Sequence, residues 1–80
     1  MNITIKYFGR ITDITGHSEE VFQLADVKKI YMVEEELFEK FSTLKEQSYA
    51  LFLNRHKVTD KNVELRQDDE LCFMPPFSGG

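Results

Sequence analysis

Ile3, Ile5 and Tyr7 alternate with Thr4 and Lys6, a period of two that predicts a strand with one buried face. Gly9 ends it. Residues 10–15 then read as a short helical turn with Ile11 and Ile14 inward, closed by Gly16. Residues 20–24 return as a second strand, with Phe22 and Leu24 on one face. The period then changes. Ile30, Val33, Leu37, Phe38 and Phe41 recur at three- and four-residue steps, the stripe of an amphipathic helix. Asp26 is its expected N-cap. Glu34, Glu35, Glu36 and Glu39 fall mostly on the wet side, and Lys40 follows Glu36 at the spacing of a supporting ion pair. The helix is expected to fade near Ser42-Thr43, with Leu44 folded back on the core.

Residues 49–54 form the third expected strand, apolar through Ala50-Leu51-Phe52-Leu53. A turn at Asn54-Arg55-His56-Lys57 leads to a brief return strand from Val58. Residues 60–65 read as a loop or helical turn, and Gln67-Asp68-Asp69-Glu70 as a tight polar turn. Residues 71–74 close the series, with Leu71 and Phe73 inward and Cys72 and Met74 on the other face. One helix on one face of a mixed sheet satisfies this order, an α+β arrangement. Pairing the last strand parallel to the first makes it a β-grasp and brings the tail beside Gly9. The expected organisation is one domain over residues 1–76 and a functional tail over residues 77–80.

Eighty residues with 41% hydrophobic content and seven Phe suffice for one small core. The one cysteine rules out an internal disulfide, so nothing argues for secretion. The first residues run straight into a strand pattern with no signal-like segment, and no apolar run approaches the roughly 20 residues that span a bilayer. A soluble cytoplasmic protein is expected. A net charge of −4 argues against nucleic acid, whose phosphates need a basic face.

The candidate chemistry lies in Pro75-Pro76-Phe77-Ser78-Gly79-Gly80. Each proline fixes φ and removes a hydrogen-bond donor, which stops the strand and holds the tail extended. Residues 77–80 reach roughly 13 Å from the body at about 3.3 Å each. Glycine has no Cβ, so Gly79 and Gly80 can thread a channel that a side chain would block. The α-carboxylate of Gly80 is an anion at neutral pH and a poor acyl donor until it is activated as an acyl adenylate. Cys72 reads as a small buried hydrophobe within an apolar strand. His17 and His56 read as loop residues without metal-ligand spacing, and no metal site is expected. Phe8 breaks the inward alternation. Either it is exposed beside the tail as an interface anchor, or a minor core under the short turn hides it. No phosphate loop, Ser-His-Asp set or carboxylate pair stands out, so the chain is not expected to be an enzyme alone.

Tyr7-Phe8-Gly9-Arg10-Ile11, Ile14-Thr15-Gly16, Leu53-Asn54, Asp69-Glu70-Leu71 and the Pro-Pro-Phe-Ser-Gly-Gly tail together resemble the MoaD family. These are the small, ubiquitin-like, sulfur-carrying subunits of molybdopterin synthase. The resemblance implies that an activating enzyme of the ubiquitin-activating type adenylates Gly80 with ATP. A sulfur donor protein then converts it to a thiocarboxylate. The tail enters the large subunit's active site and gives sulfur to cyclic pyranopterin monophosphate, in a heterotetramer with the large-subunit dimer at its centre. No cofactor would be held permanently. Gly79 would be the slim neighbour of Gly80, and Phe8, Met74, Pro75, Pro76, Phe77 and Ser78 the docking surface. Where the family usually has Arg-Glu in the first turn, this chain has Thr12-Asp13. Where the family often has Gly in the last turn, it has Asp68, a residue type enriched at positive φ. Met74 stands where an aromatic or aliphatic residue is common.

Asp68-Asp69-Glu70 has two readings, as a polar turn or as anions for a basic activating enzyme. Three other functions remain: a sulfur carrier for thiamine, cysteine or tRNA thiolation, a ubiquitin-like protein modifier, and a plain interaction domain.

Overall fold

The computed structural model describes residues 1–76. Strand β1 (Asn2–Tyr7) leads into helix α1 (Arg10–Thr15) and returns as β2 (Glu19–Gln23). Helix α2 (Ile30–Lys40) and a 3-10 turn (Ser42–Glu46) precede β3 (Ala50–Leu53), β4 (His56–Lys57) and β5 (Glu70–Met74). The sheet order is β2-β1-β5-β3-β4, with β1 and β5 parallel and the other neighbours antiparallel. This is the expected β-grasp. No helix of the described residues is long and apolar enough to cross a membrane.

The alternation in β1 decides the core. Ile3, Ile5 and Tyr7 are buried, and Leu71 and Phe73 of β5 stand on the same face beside Ile5 and Tyr7. Ile30, Val33 and Leu37 of α2 cover them, with Leu44 and Leu65 closing the sides. The Phe73 ring lies between Tyr7, 5.7 Å away, and Tyr49, 4.9 Å away. Both tyrosines are amphipathic bridges. Their rings pack on Phe73, and their hydroxyls donate to Glu20 and Glu34 respectively. Burial, then these hydrogen bonds, push both phenols well above the ordinary tyrosine range.

Several local expectations are corrected. Asp26 does not cap α2, because residues before Ile30 are engaged elsewhere. Lys29 is extended and bridges Glu64, and the first helical N–H groups, of Ile30 and Tyr31, donate to the carbonyls of Val63 and Lys61. The loop thus satisfies the donors that a cap would take. Glu34 is not on the wet face. It is 4% exposed, and its carboxylate accepts from Tyr49 and pairs with Lys61 at 3.1 Å. Glu36 pairs with Lys28 rather than Lys40, and Lys40 reaches Glu20 at 3.7 Å. The return strand is His56–Lys57, earlier than Val58, because Asn54 and Arg55 both take positive φ, of 48° and 73°. That is the signature of a two-residue hairpin turn.

Candidate functional site

Parallel pairing of β1 and β5 carries Phe8 and the Pro75-Pro76 exit to the same end of the sheet. The Phe8 N–H donates to the Phe73 carbonyl at 3.1 Å, which ties the two exits together. Gly9 comes next at φ 59°, and a Cβ there would stand 2.7 Å from Pro75 Cγ. Only glycine fits both the conformation and the contact. Pro75 is thereby seated on Gly9.

The face of the sheet away from α2 holds the second part of the site. In register across it stand Lys6, Cys72, Phe52 and Lys57, with Met74 opposite Ala50 one step nearer the tail. Phe8, Phe52, Cys72 and Met74 line a shallow concavity of about 350 Å³, with Lys6, Arg55 and Glu70 at its edge. Phe8 is 41% exposed, so the reading that hides it under the first turn is overturned. Lys6 and Glu70 pair at 3.0 Å. The hydrogen bond between them holds the Glu70 carboxyl below, and the Lys6 amine above, their usual ranges. Burial pushes the Cys72 thiol up, so it is a protonated apolar floor and not a thiolate nucleophile.

The polar turn resolves residue by residue. Asp69 accepts the Arg66 N–H at 2.7 Å and the Asn54 amide at 2.9 Å, while the Asn54 side-chain oxygen accepts the Glu70 N–H at 2.9 Å. Asp69 and Glu70 therefore hold the fold, and exposed Asp68 takes φ 67°. His17 and His56 are exposed, and no group of three His, Cys, Asp or Glu among the described residues is placed to hold a metal.

The structure thus gathers Phe8, Met74, Pro75 and Pro76 at one end. Phe77, Ser78, Gly79 and Gly80 lie outside the described residues. Phe52, Lys6 and Arg55 join the site without having been singled out in the sequence. The run Ala50-Leu51-Phe52-Leu53 is apolar throughout, so its two faces cannot be separated by alternation. A larger cleft of about 860 Å³ opens at the far end among Met1, Val27, Leu53 and Val63; Asp69 of the polar turn lines it, and Phe8, Met74, Pro75 and Pro76 do not.

A family model described as the ThiS family matches residues 5–80. A search of the curated proteins finds no match. Among solved structures, the chain is similar to a candidate molybdopterin converting factor subunit 1 from Pyrococcus furiosus. That likeness has TM-score 0.87 and 22% identity, over 96% of this chain and 99% of that one. It is similar to small archaeal modifier protein 1 from Haloferax volcanii with TM-score 0.80 and 16% identity, over 100% of both chains. A Helicobacter pylori structure, a complex of subunits 1 and 2 of molybdopterin-converting factor, matches with TM-score 0.73 and 22% identity, over 100% of both chains.

Proposed function

The chain belongs to the ThiS family, and from that premise we propose that it is a sulfur-carrier protein of molybdopterin biosynthesis. The observation that carries this reading is the Pro75-Pro76-Phe77-Ser78-Gly79-Gly80 sequence, issuing from a strand end whose Pro75 is seated on Gly9. In this reading Gly80 is the carboxyl terminus and the carrier position. Its carboxylate attacks the α-phosphorus of ATP in an activating enzyme, and pyrophosphate leaves. A hydrosulfide equivalent from a sulfur donor then adds to the acyl carbon, and AMP leaves, which yields a thiocarboxylate. Inside the large synthase subunit the sulfur bonds to a carbon of cyclic pyranopterin monophosphate as a carbon–oxygen bond of that carbon breaks, its oxygen leaving as water or staying on the opened phosphate. Water cleaves the acyl–sulfur bond and returns the carboxylate. Two rounds build the dithiolene.

The chain's own part is to present the tail. The Phe8, Phe52 and Met74 concavity supplies an apolar surface beside the tail exit, suited to a partner that must receive the body and the tail together. The H. pylori complex of subunits 1 and 2 supports a large-subunit partner of this kind. Catalytic side chains then belong to the partners.

The likeness to small archaeal modifier protein 1 favours a second reading, in which Gly80 is joined to lysines of other proteins. One experiment separates the two. Molybdopterin is measured in cells whose only copy of the protein lacks Gly80. The expected result is loss of molybdopterin, restored by the full chain. Normal molybdopterin overturns the proposal, and isopeptide-linked products of the full chain then establish the second reading.

A further inference from the structure

Strand β2 is an edge of the sheet, and among the described residues its one strand neighbour is β1. At the two ends of that pairing the Tyr7 N–H donates to the Ser18 carbonyl at 2.9 Å and the Leu24 N–H to the Met1 carbonyl at 2.7 Å. Bonded positions alternate along an antiparallel ladder, so Ser18, Glu20, Phe22 and Leu24 turn their backbone groups to β1. Glu19, Val21 and Gln23 turn theirs outward, where no backbone group among the described residues meets them. Their side chains are exposed too, and Val21, at the centre of the strand, is 63% exposed although it is apolar and β-branched. The opposite edge of the sheet is guarded. Strand β4 is two residues long and ends on Lys57, and shortness and lysine both blunt a strand edge. Strand β2 runs for five residues without Lys, Pro or Gly.

We propose that this edge pairs antiparallel with the same edge of a second copy of the chain, giving a two-fold dimer with one sheet running through both copies. The register selects this occupant. With Val21 opposite Val21 of the second copy, all five residues of β2 overlap, and about six backbone hydrogen bonds form. Glu19 then faces Gln23 of the second copy and Glu20 faces Phe22, so no carboxylate stands directly opposite another. A slide of two residues either way leaves only three residues of each strand paired, and one of the two slides sets Glu20 against Glu20, which like charges oppose. The α2 side adds complementary charge. Lys40 Nζ lies 3.7 Å from Glu20 and 5.8 Å from the centre of the Phe22 ring. Because Phe22 faces Glu20 of the second copy, each Lys40 stands between two carboxylates. On the other face the exposed valine is covered by its own equivalent. A contact of one patch with itself closes at two copies and does not propagate. None of the residues lining the concavity beside the tail exit belongs to β2, so the dimer leaves that surface open.

The test is sedimentation equilibrium on the full chain from about 10 μM to about 1 mM, the range of dissociation constants that so small an interface allows. The expected result is a monomer–dimer equilibrium. Val21→Lys sets two ammonium groups opposite each other at the two-fold axis and is expected to weaken the dimer at least about tenfold. Gln23→Lys sets an ammonium opposite Glu19 of the second copy and is expected to tighten it about threefold. Asn62→Lys adds the same charge away from β2, and its effect is expected to be smaller. All three positions are exposed, so the variants are expected to fold. Amide hydrogen exchange adds a readout that needs no variant. The N–H groups of Glu19, Val21 and Gln23 are expected to gain protection as concentration rises, while those of Glu20 and Phe22 are protected throughout. A chain that stays monomeric to about 1 mM overturns the proposal and leaves the edge to a strand of another protein. A dimer that Val21→Lys leaves intact overturns it too, because the interface then lies elsewhere. So does protection at Glu19, Val21 and Gln23 that does not change with concentration. Equal tightening by Gln23→Lys and Asn62→Lys also overturns it, since net charge and not the register then governs association.

Discussion

The two faces of the sheet are made by alternate residues of the same strands, yet they differ in nearly every physical respect. On the α2 side, Tyr7, Phe73 and Leu51 stand in one register row and Ile5, Leu71 and Leu53 in the next, all but Leu53 buried. On the other side the row is Lys6, Cys72 and Phe52, with half-buried Met74 beyond it and exposed Phe8 beside the exit. The backbone hydrogen bonds are shared, so they cannot account for the difference. What differs is the presence of a helix across the inner face. Apolar side chains there gain roughly 25 cal/mol per Å² of surface removed from water. On the outer face much of that gain is still available to a partner. The inner face therefore fixes the fold, and the outer face is free to carry recognition.

The sharpest way to break this division is at Phe73. Its ring is fully buried between two tyrosines, so Phe73→Ala is expected to cost about 3–5 kcal/mol, as large-to-small changes at aromatic core sites do. Against a total of about 5–15 kcal/mol for a domain, that leaves a protein close to unfolding. Urea denaturation measures it. A loss below about 1.5 kcal/mol would mean that the inner face is not what holds the sheet together.

Gly9→Ala acts where the two faces meet the tail. The backbone there lies at φ 59° and ψ −136°, a region costly for any side chain, and the added Cβ meets Pro75 Cγ at 2.7 Å. The expected cost is about 1–3 kcal/mol, with Pro75 displaced from its seat. Amide shifts concentrated at Phe8 and Met74 would report the displacement. Wild-type stability and unmoved shifts would show that Gly9 does not set the exit.

How far the sequence carries these distinctions depends on whether their cause is local. The alternation of Ile3, Ile5 and Tyr7 and the stripe of α2 are local, and both were legible. So was positive φ at Asp68, from a residue type that tolerates it. Glu34 was not. It sits next to Val33 on the helix and is buried because Tyr49 and Lys61, 15 and 27 residues later, bring it a hydroxyl and an ammonium. The start of α2 failed for the same reason, since its capping carbonyls come from Lys61 and Val63. The Asn54-Arg55 turn lacks the Asn-Gly pair that announces such hairpins, so the return strand was expected two residues late. Pro75 and Pro76 could be identified by type, but the seat under Pro75 needed the parallel pairing of β1 with β5.

Met74→Arg is expected to have the smallest effect on stability, and for that reason it tests the outer face most cleanly. Met74 is half-buried at the end of β5 and stands opposite Ala50, with Phe8 and Phe52 in the same concavity. An arginine there can keep its guanidinium in water in the free protein, so the change in unfolding free energy should stay within about 0.5 kcal/mol. Assembly with the proposed large subunit removes that option. The charge must then be buried without a partner or the surfaces held apart, and each 1.4 kcal/mol lost lowers affinity about tenfold. A tenfold or larger loss by calorimetry, at unchanged stability, is the expected outcome. Unchanged affinity would take Met74 out of the docking surface. A stability loss comparable to that of Phe73→Ala would remove the division itself, because the outer face would then be part of what folds the chain.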